Sequence, residues 1–209
     1  VTGAGGFIAA RLANQLAESG KQVRAMVRSK ESKLLHHPNI EIIRGDILNK
    51  NILDEATKNI YQIFHVAALA NNWAKNEKIF FDINVTGTEN VIEAARKNNV
   101  ARVVVTSTAG TIGPSMNNQP VDEKILEPKA FYSGYEKSKH DAEKLIFKMV
   151  KEGGNIVIVN PTRVFGPGPL VKSNSVTKII HKYVNGKWRF QPGTGNEIGN
   201  YTYIDDVIQ

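Results

Sequence analysis

The residues best placed to do chemistry in this sequence are a tyrosine and a lysine four positions apart, Tyr135 and Lys139. On a helix this spacing puts both side chains on one face. A free phenol has a pKa of about 10 and is a poor base at neutral pH, but a neighbouring ammonium lowers that pKa by roughly 1 to 3 units. The pair could therefore exchange a proton with an alcohol or carbonyl oxygen. A core tyrosine beside a solvated lysine has the same spacing, so the pair alone leaves both interpretations open.

Hydroxyl side chains end one of the apolar runs that are predicted to be strands. Thr106, Ser107 and Thr108 follow one another there, and a hydroxyl at this place could bond the same substrate oxygen as Tyr135. An ordinary strand end would look alike. The three residues therefore support the tyrosine and lysine only if the fold brings them together.

A glycine-rich turn opens the chain and leads into an amphipathic helix. Gly3, Gly6 and Ala9 recur every three residues, so the backbone can turn tightly and approach a ligand. The unpaired amides and the positive dipole end of the helix that follows attract an anion. The turn therefore predicts phosphate binding, and the alternative is a tight strand-to-helix turn that binds nothing.

Segments typical of strands and helices alternate along the rest of the chain. We predict strands at 21–28, 40–43, 60–68, 102–107 and 155–160, and helices at 51–59, 76–99, 133–151 and 176–184. Nearly continuous apolar runs are typical of parallel strands that are covered on both faces. The alternation predicts an α/β fold with a doubly wound parallel sheet of Rossmann type, in which ligands bind beyond the carboxyl ends of the strands.

The composition changes after residue 160, where Gly, Pro and Asn become frequent. We predict a dinucleotide-binding domain over 1–160 and the start of a smaller, discontinuous substrate lobe over 161–209, with a returning strand near 198–204. Only Val1 precedes the glycine turn, although a strand of about five residues normally feeds such a turn. A predicted helix cap lies close to the last residue, Gln209. We therefore expect a fragment with a truncated first strand and without its C-terminal remainder.

The composition of the 209-residue chain narrows the class of protein. An apolar fraction of 41% and a charged fraction of 22% are typical of a globular protein with one substantial core. The absence of cysteine excludes disulfides and cysteine-ligated metals and favours a cytoplasmic location, and we expect no metal site. No apolar run reaches about 18 residues, so we expect no membrane span. The net charge is +7, but the basic residues are scattered, which favours attraction of a phosphorylated cofactor over nucleic-acid binding.

A series of motifs, taken in order, resembles the extended short-chain dehydrogenase/reductase family over essentially the whole chain. The motifs are TGAGGFIA at 2–9, DI at 46–47, HVAA at 65–68, NVTGT at 84–88, TST at 106–108, YEKSK at 135–139, NPTRVFGP at 160–167 and YIDDV at 203–207. The first motif has alanine where the family has its last glycine. The resemblance implies a nicotinamide-dependent enzyme on a Rossmann-type fold.

The resemblance also implies roles for the residues that could do chemistry. Tyr135 would exchange a proton with the substrate, and Lys139 would polarise Tyr135 and bond the nicotinamide ribose. Thr108 falls on the family's catalytic serine, a departure that keeps the hydroxyl but adds a methyl group. Ser107 is the fallback if the strand register shifts, and Asn84 resembles the family's structural helix asparagine.

Cofactor-binding residues are implied in the same way. They are Gly3, Gly6, Phe7 and Ile8 at the opening turn, Arg28 after the next strand, Asp46 and Ile47 at the adenine, Ala67 and Ala68 along the middle of the cofactor, Lys139 at the ribose, and Pro161 and Thr162 at the nicotinamide amide. NAD-binding proteins usually carry an acid at the position of Arg28, whereas an arginine can accommodate the 2′-phosphate of NADP. No acidic residue follows until Glu31. We therefore predict NADP(H) over NAD(H), with a plain surface arginine as the alternative.

Two branches of the family are compatible with the motifs. VRAMVR at 23–28 and TAGT at 108–111 resemble the carbonyl reductases related to dihydroflavonol reductase and 3β-hydroxysteroid dehydrogenase, which favours reduction of a small ketone or aldehyde. The alternative is a nucleotide-sugar epimerase or dehydratase with tightly bound NAD. A third hypothesis, of another class, is a regulatory protein that binds NADP(H) and catalyses nothing. By resemblance, the long helices at 76–99 and 133–151 pair across a homodimer.

Overall fold

The computed structural model describes residues 1–28, 35, 37–115, 119–124, 128–170, 174–191, 193–196 and 198–209. The strands of the main sheet are β1 (Val23–Val27), β2 (Ile40–Arg44), β3 (Gln62–His65), β4 (Arg102–Thr106) and β5 (Ile156–Val159). The helices that accompany them are α1 (Phe7–Glu18), α2 (Lys50–Thr57), α3 (Lys78–Phe81), α4 (Gly87–Lys97) and α5 (Gly134–Lys151). A π-helical turn, Asp82–Thr86, joins α3 to α4, and a 3-10 helix, Ala109–Ile112, follows β4.

The glycine turn begins between the two halves of a parallel sheet. β1 pairs with β2, and β3, β4 and β5 pair in that order, all in parallel. Thr2 joins the halves through parallel bridges to Met26 of β1 and His65 of β3. The resulting order β2-β1-Thr2-β3-β4-β5 changes direction at Thr2, which is where a doubly wound sheet binds its ligand. The predicted Rossmann-type α/β fold is confirmed.

Two apolar clusters pack against this sheet. One cluster joins β1, β3 and β4 to α2, α4 and α5, and its centre includes Leu53, Val91 and Ile146, which are at most 1% exposed. The other cluster packs α1 on β1 through small side chains such as Ala10 and Ala13. Because these alanines leave little bulk between helix and strand, the start of α1 is held close to the carboxyl end of the sheet.

Two predicted elements differ in the structure. The strand predicted at 60–68 ends at His65, because the amides of Val66 and Ala67 donate to the hydroxyl of Thr2, both at 3.2 Å, instead of extending the sheet. The helix predicted at 76–99 is interrupted by the π-helical turn. Such turns are rare and often lie at functional sites, and this one carries Asn84, which was expected within a regular helix as a structural asparagine.

A second, smaller sheet follows residue 160. β6 (Arg163–Phe165) pairs in parallel with β7 (Tyr201–Tyr203), and the helices α6 (Ser175–Val184) and α7 (Ile204–Ile208) accompany them. β7 lies within the returning strand that was predicted near 198–204. The division into domains 1–160 and 161–209 stays a prediction, although the change of sheet falls at its boundary. Within the described ranges, no helix has the length and apolar character needed to cross a membrane.

Candidate active site

An open crevice of about 1010 Å³ runs along the carboxyl ends of the strands. Its lining includes every predicted site residue except Lys139, namely Gly3, Gly6, Phe7, Ile8, Arg28, Asp46, Ile47, Ala67, Ala68, Thr108, Tyr135, Pro161 and Thr162. The fold thus gathers residues from both ends of the chain around one space. Their roles there stay predictions, but their convergence is a structural fact.

The glycine turn fits the predicted phosphate site. Gly3 has a φ of +69°, and a Cβ at this position would come within 2.7 Å of the Cα of Ala67. Only glycine therefore lets the turn pass so close to the end of β3. Gly6 caps α1 without a side-chain hydrogen bond, so the cap residue itself leaves the first amides of α1, at Phe7 and Ile8, to another acceptor. Uncapped amides at a helix start are the donors that a pyrophosphate needs.

Tyr135 and Lys139 lie on one face of α5, as predicted, but at different depths. Ser133 caps the helix, since its hydroxyl accepts from the amide of Glu136 at 3.3 Å. Tyr135 is half-buried and reaches the crevice. Lys139 is only 1% exposed, and its ammonium donates to the carbonyl of Thr106 at 3.0 Å. An ammonium has three donors, so this bond leaves capacity for a ligand.

The surroundings of the phenol act against the expected effect of the lysine, which stays a prediction. Burial, and then the nearby Glu136 carboxylate, raise the pKa of Tyr135 to about 12. Burial lowers the pKa of Lys139 to about 8, against the opposing charge of Glu143. Loss of water around the phenol is therefore the largest effect on the pKa of Tyr135. At neutral pH Tyr135 is a neutral phenol, which can donate a proton but is a poor base.

Of the two candidate hydroxyls at the end of β4, the structure favours Thr108. The Oγ1 of Thr108 accepts from the amide of Gly110 at 3.2 Å and lines the crevice, so its own O–H can point to a ligand. Ser107 is 4% exposed, and its hydroxyl donates to the carboxylate of Glu143. The fallback hydroxyl is therefore already committed to a partner inside the protein.

Glu143 is a buried part of the site that sequence reasoning missed. It is 9% exposed and accepts from Ser107 and, at 2.7 Å, from the amide nitrogen of Asn160. Asn160 also donates to the carbonyl of Thr108 at 3.2 Å. Glu143 follows Lys139 by four residues, so a search for acids on the Tyr135 face of α5 would have found it.

A second arginine, also missed, lies beside the predicted selectivity residue. Arg28 follows β1 and is exposed in the crevice lining. Arg44 ends the adjacent strand β2, and its Nε donates to the carbonyl of Arg28 at 3.4 Å. Ser29, Lys30 and Glu31, on which the cofactor prediction also drew, lie outside the described residues.

The two ends of the predicted cofactor site contact different parts of the fold. Asp46 is exposed, and its carboxylate accepts a backbone amide two residues further on at 2.9 Å. Ile47 lines the crevice but is only 7% exposed and packs on Gly87. At the other end, the hydroxyl of Thr162 lies 2.7 Å from that of Thr202, which ties this part of the lining to β7.

Known proteins similar to this chain point to one family. The profile of the NAD dependent epimerase/dehydratase family matches residues 1–209. A Synechocystis protein named "Putative dihydroflavonol 4-reductase" is 34% identical over 198 residues, which cover 93% of this chain and 57% of that protein. The 3 beta-hydroxysteroid dehydrogenase/Delta 5→4-isomerase of Mycobacterium tuberculosis is 30% identical over 215 residues, which cover 100% of this chain and 57% of that protein.

A solved structure has the same fold. The UDP-glucuronic acid 4-epimerase from Bacillus cereus, in complex with UDP-glucuronic acid and NAD, matches with a TM-score of 0.84 at 25% identity. The match covers 99% of this chain and 69% of that one. The chain thus spans little more than half the length of the two curated relatives and about two thirds of the solved one.

Proposed function

The chain belongs to the NAD dependent epimerase/dehydratase family, the extended short-chain dehydrogenases/reductases, and on this premise we propose that the complete protein reduces a ketone or aldehyde with NADPH. The observation that carries the proposal is the state and place of Tyr135. Its phenol keeps its proton at neutral pH and lines the same crevice as Gly3, Gly6 and Thr108. A proton donor beside a dinucleotide site is what carbonyl reduction requires.

Each residue has a defined task in this reaction. When bound, the reduced nicotinamide supplies the hydride that the carbonyl carbon accepts. Tyr135 donates its proton to the carbonyl oxygen, so the product is an alcohol and the phenol is left as phenolate. The hydroxyl of Thr108 donates a hydrogen bond to the developing alkoxide. The charge of Lys139, on the same helix face, favours the phenolate until a proton returns.

The cofactor fits the residues that the crevice presents. The space at Gly3 that a Cβ would fill, and the uncapped amides of Phe7 and Ile8, suit a pyrophosphate. Arg28 follows β1 and Arg44 ends the adjacent strand β2, and neither forms an ion pair with an acidic residue in the part of the chain that the structure describes. Two guanidinium groups at that edge support a 2′-phosphate, and so NADP(H) rather than NAD(H).

The nucleotide-sugar alternative is weaker on the chemistry of the tyrosine. Epimerisation or dehydration through an oxidised sugar requires Tyr135 to remove a proton first, and a phenol with a pKa of about 12 is a poor base. One observation favours the alternative: Arg163 is exposed, lines the crevice and could meet a diphosphate. A regulatory protein without activity would not need the convergence of Tyr135 and Thr108 on the crevice.

Substitution of the tyrosine tests the proposal. In the complete protein, Tyr135→Phe should lower kcat for NADPH oxidation with a reactive carbonyl by about 100-fold or more, while the Kd for NADPH stays unchanged. Tyr132→Phe is the matched control, since Tyr132 is 81% exposed. A Tyr135→Phe variant with normal turnover would overturn the mechanism. Turnover of nucleotide sugars without net NADPH oxidation would favour the epimerase, and NADPH binding without either activity would favour the regulatory protein.

Cofactor choice has a separate test. We expect Arg28→Ala to weaken NADPH binding, by about tenfold or more for the loss of a charge-assisted bond, and to leave NADH binding unchanged. Arg102→Ala is the control, because Arg102 is exposed at the amino end of β4 on the opposite edge of the sheet. A clear preference for NADH that survives Arg28→Ala would contradict the assignment.

We also propose that the complete protein is a homodimer that pairs through its long helices. Exposed apolar side chains support this: Ile79 and Phe81 on α3 and Phe147 and Val150 on α5 are 39% to 49% exposed. Sedimentation of the complete protein distinguishes a dimer from a monomer, and Phe147→Glu should shift a dimer towards monomer.

A further inference from the structure

Buried side chains connect the glycine turn with α4 through His65. The imidazole is 0% exposed, with Nδ1 2.8 Å from the Oγ1 of Thr2 and Nε2 3.0 Å from the Oγ1 of Thr88. Thr2 is 6% exposed and Thr88 is 0% exposed. No water reaches these groups easily, so each must satisfy its hydrogen bonds within the protein.

The direction of each bond in this chain follows from its partners. The hydroxyl of Thr88 donates its one proton to the carbonyl of Asn84 at 2.6 Å, so towards the imidazole it can only accept. The Nε2 of His65 must therefore carry a proton. Burial, and then the charge of Lys139, lower the pKa of His65 to about 3, so the ring is neutral and Nδ1 has no proton. Thr2 consequently donates to Nδ1.

At one end, the series of hydrogen bonds around His65 holds the backbone beside the glycine turn. The Oγ1 of Thr2, which donates to His65, accepts from the amides of Val66 and Ala67 at 3.2 Å. Ala67 is the residue that leaves Gly3 no room for a side chain. The hydroxyl of Thr2 thus fixes the spacing between the predicted pyrophosphate turn and the end of β3.

At the other end, the series of hydrogen bonds reaches the backbone of Tyr135. The side-chain nitrogen of Asn84 donates to the hydroxyl of Ser138 at 2.8 Å, and that hydroxyl donates to the carbonyl of Tyr135 at 2.7 Å. The side-chain oxygen of Asn84 accepts from the amide of Leu69 at 2.8 Å. The contacts therefore lead from the turn to the helix that carries Tyr135, and they pass through Asn84 from its main-chain carbonyl to its side-chain amide.

We propose that His65 is a positioning residue: its imidazole, between the hydroxyls of Thr2 and Thr88, joins the buried hydrogen bonds that hold the glycine turn and Tyr135 in fixed relation. This inference rests on the proposed function, since it takes Tyr135 as the proton donor. A displacement of about 1 Å between reacting groups can cost on the order of 100-fold in rate. These hydrogen bonds are thus a means of setting the distance between a cofactor held at the turn and the phenol.

Two threonines of α2 and α4 give a matched test in the complete protein. Thr88→Val removes the hydroxyl that accepts from His65. Thr57→Val is the control, because the hydroxyl of Thr57 is also buried. Like that of Thr88, it donates to the carbonyl four residues earlier, at 2.9 Å, and accepts from a side chain, here that of Asn98 at 2.9 Å. We expect Thr88→Val to lower kcat about tenfold or more with the KM for NADPH within about twofold, because the contacts of Thr2 at the turn remain. Equal kcat in the two variants would overturn the proposal.

An NMR measurement keeps the proposal testable if Thr88→Val does not fold. The imidazole nitrogen resonances of His65 in the complete protein, assigned by their loss in His65→Gln, should report a proton on Nε2 and none on Nδ1 from about pH 5 to 8. A proton on Nδ1, or titration of the ring within that range, would overturn the inference. If the protein reduces no carbonyl, the proposed function fails, whereas these resonances still decide whether the chain of bonds exists.

Discussion

The glycine turn gives the sharpest prediction, because the structure separates two glycines that look alike in the sequence. Gly3 has a φ of +69°, and a Cβ on it would lie 2.7 Å from the Cα and 2.8 Å from the N of Ala67. Gly5 has no such conformation, and a Cβ on it would meet nothing within 4 Å. Gly3→Ala and Gly5→Ala therefore make the same chemical change two residues apart with opposite structural consequences.

The expected effect of Gly3→Ala follows from two terms. A non-glycine residue in the left-handed region costs about 1–2 kcal/mol, and relief of the overlap with the Ala67 backbone adds about 1–3 kcal/mol. The free energy of unfolding should therefore fall by roughly 2–5 kcal/mol. At about 2–4 °C per kcal/mol for a domain of this size, Tm should fall by roughly 4–20 °C. Gly5→Ala should stay within about 0.5 kcal/mol of the parent protein.

Thermal unfolding of the complete protein with and without NADPH checks both halves of this reasoning. A ligand at 100 times its Kd stabilises by about 2.7 kcal/mol. Gly3→Ala should lose most of that stabilisation, because the shift that relieves the overlap also moves the amides of the turn, whereas Gly5→Ala should keep it. A Gly3→Ala protein with an unchanged Tm and an unchanged response to NADPH would refute the argument, as would equal damage from both substitutions.

Two further predictions concern buried titratable groups. Burial lowers the pKa of Lys139 to about 8, and the negative charge of Glu143 raises it in part. Glu143→Gln removes that charge, so the pKa of Lys139 should fall further. In a pH–rate profile, the fall of kcat/KM that is expected near pH 8 should therefore move to lower pH. An unchanged profile would show that the Glu143 charge does not act on Lys139. The pKa of His65 is 6.5 in its ordinary state and about 3 in the folded protein. Between these two pH values the unfolded chain therefore binds more protons than the folded one. The stability that is present above pH 6.5 is lost as the pH falls towards 3. Urea unfolding should show a contribution of up to about 1.4 kcal/mol per pH unit, and His65→Gln with the same acid dependence as the parent would contradict it.

Local sequence signals were sufficient for the fold and for most of the crevice. Several of the motifs follow strands of a parallel sheet, and the carboxyl ends of such strands meet at one edge, so Gly3, Arg28, Ala67 and Thr108 had to converge. Strand and helix types could be read for the same reason, since apolar runs and helical stripes are local patterns.

What could not be predicted depends on contacts between distant residues. The end of β3 at His65 is set by the hydroxyl of Thr2, more than sixty residues earlier, while the apolar run itself continues. The raised pKa of Tyr135 reflects burial by the whole fold, which the spacing to Lys139 does not reveal. Arg44 could not be assigned to the cofactor site from the sequence, because only the pairing of β1 with β2 brings it beside Arg28.

The buried polar residues of α5 include a charged side chain, Lys139, whose burial is unfavourable for stability. An ammonium that is 1% exposed is costly to bury, and Lys139 is held by the carbonyl of Thr106 and is favoured as a cation by the negative charge of Glu143. Apolar residues of similar volume often stabilise a protein as well as a buried ion pair or better, so packing gives no reason for this set. In the proposed reaction, a charge on the same helix face as Tyr135 has a chemical use, since the phenolate left by proton donation needs a nearby cation. The stability lost by burying Lys139 is therefore best understood as the consequence of keeping that charge beside the crevice.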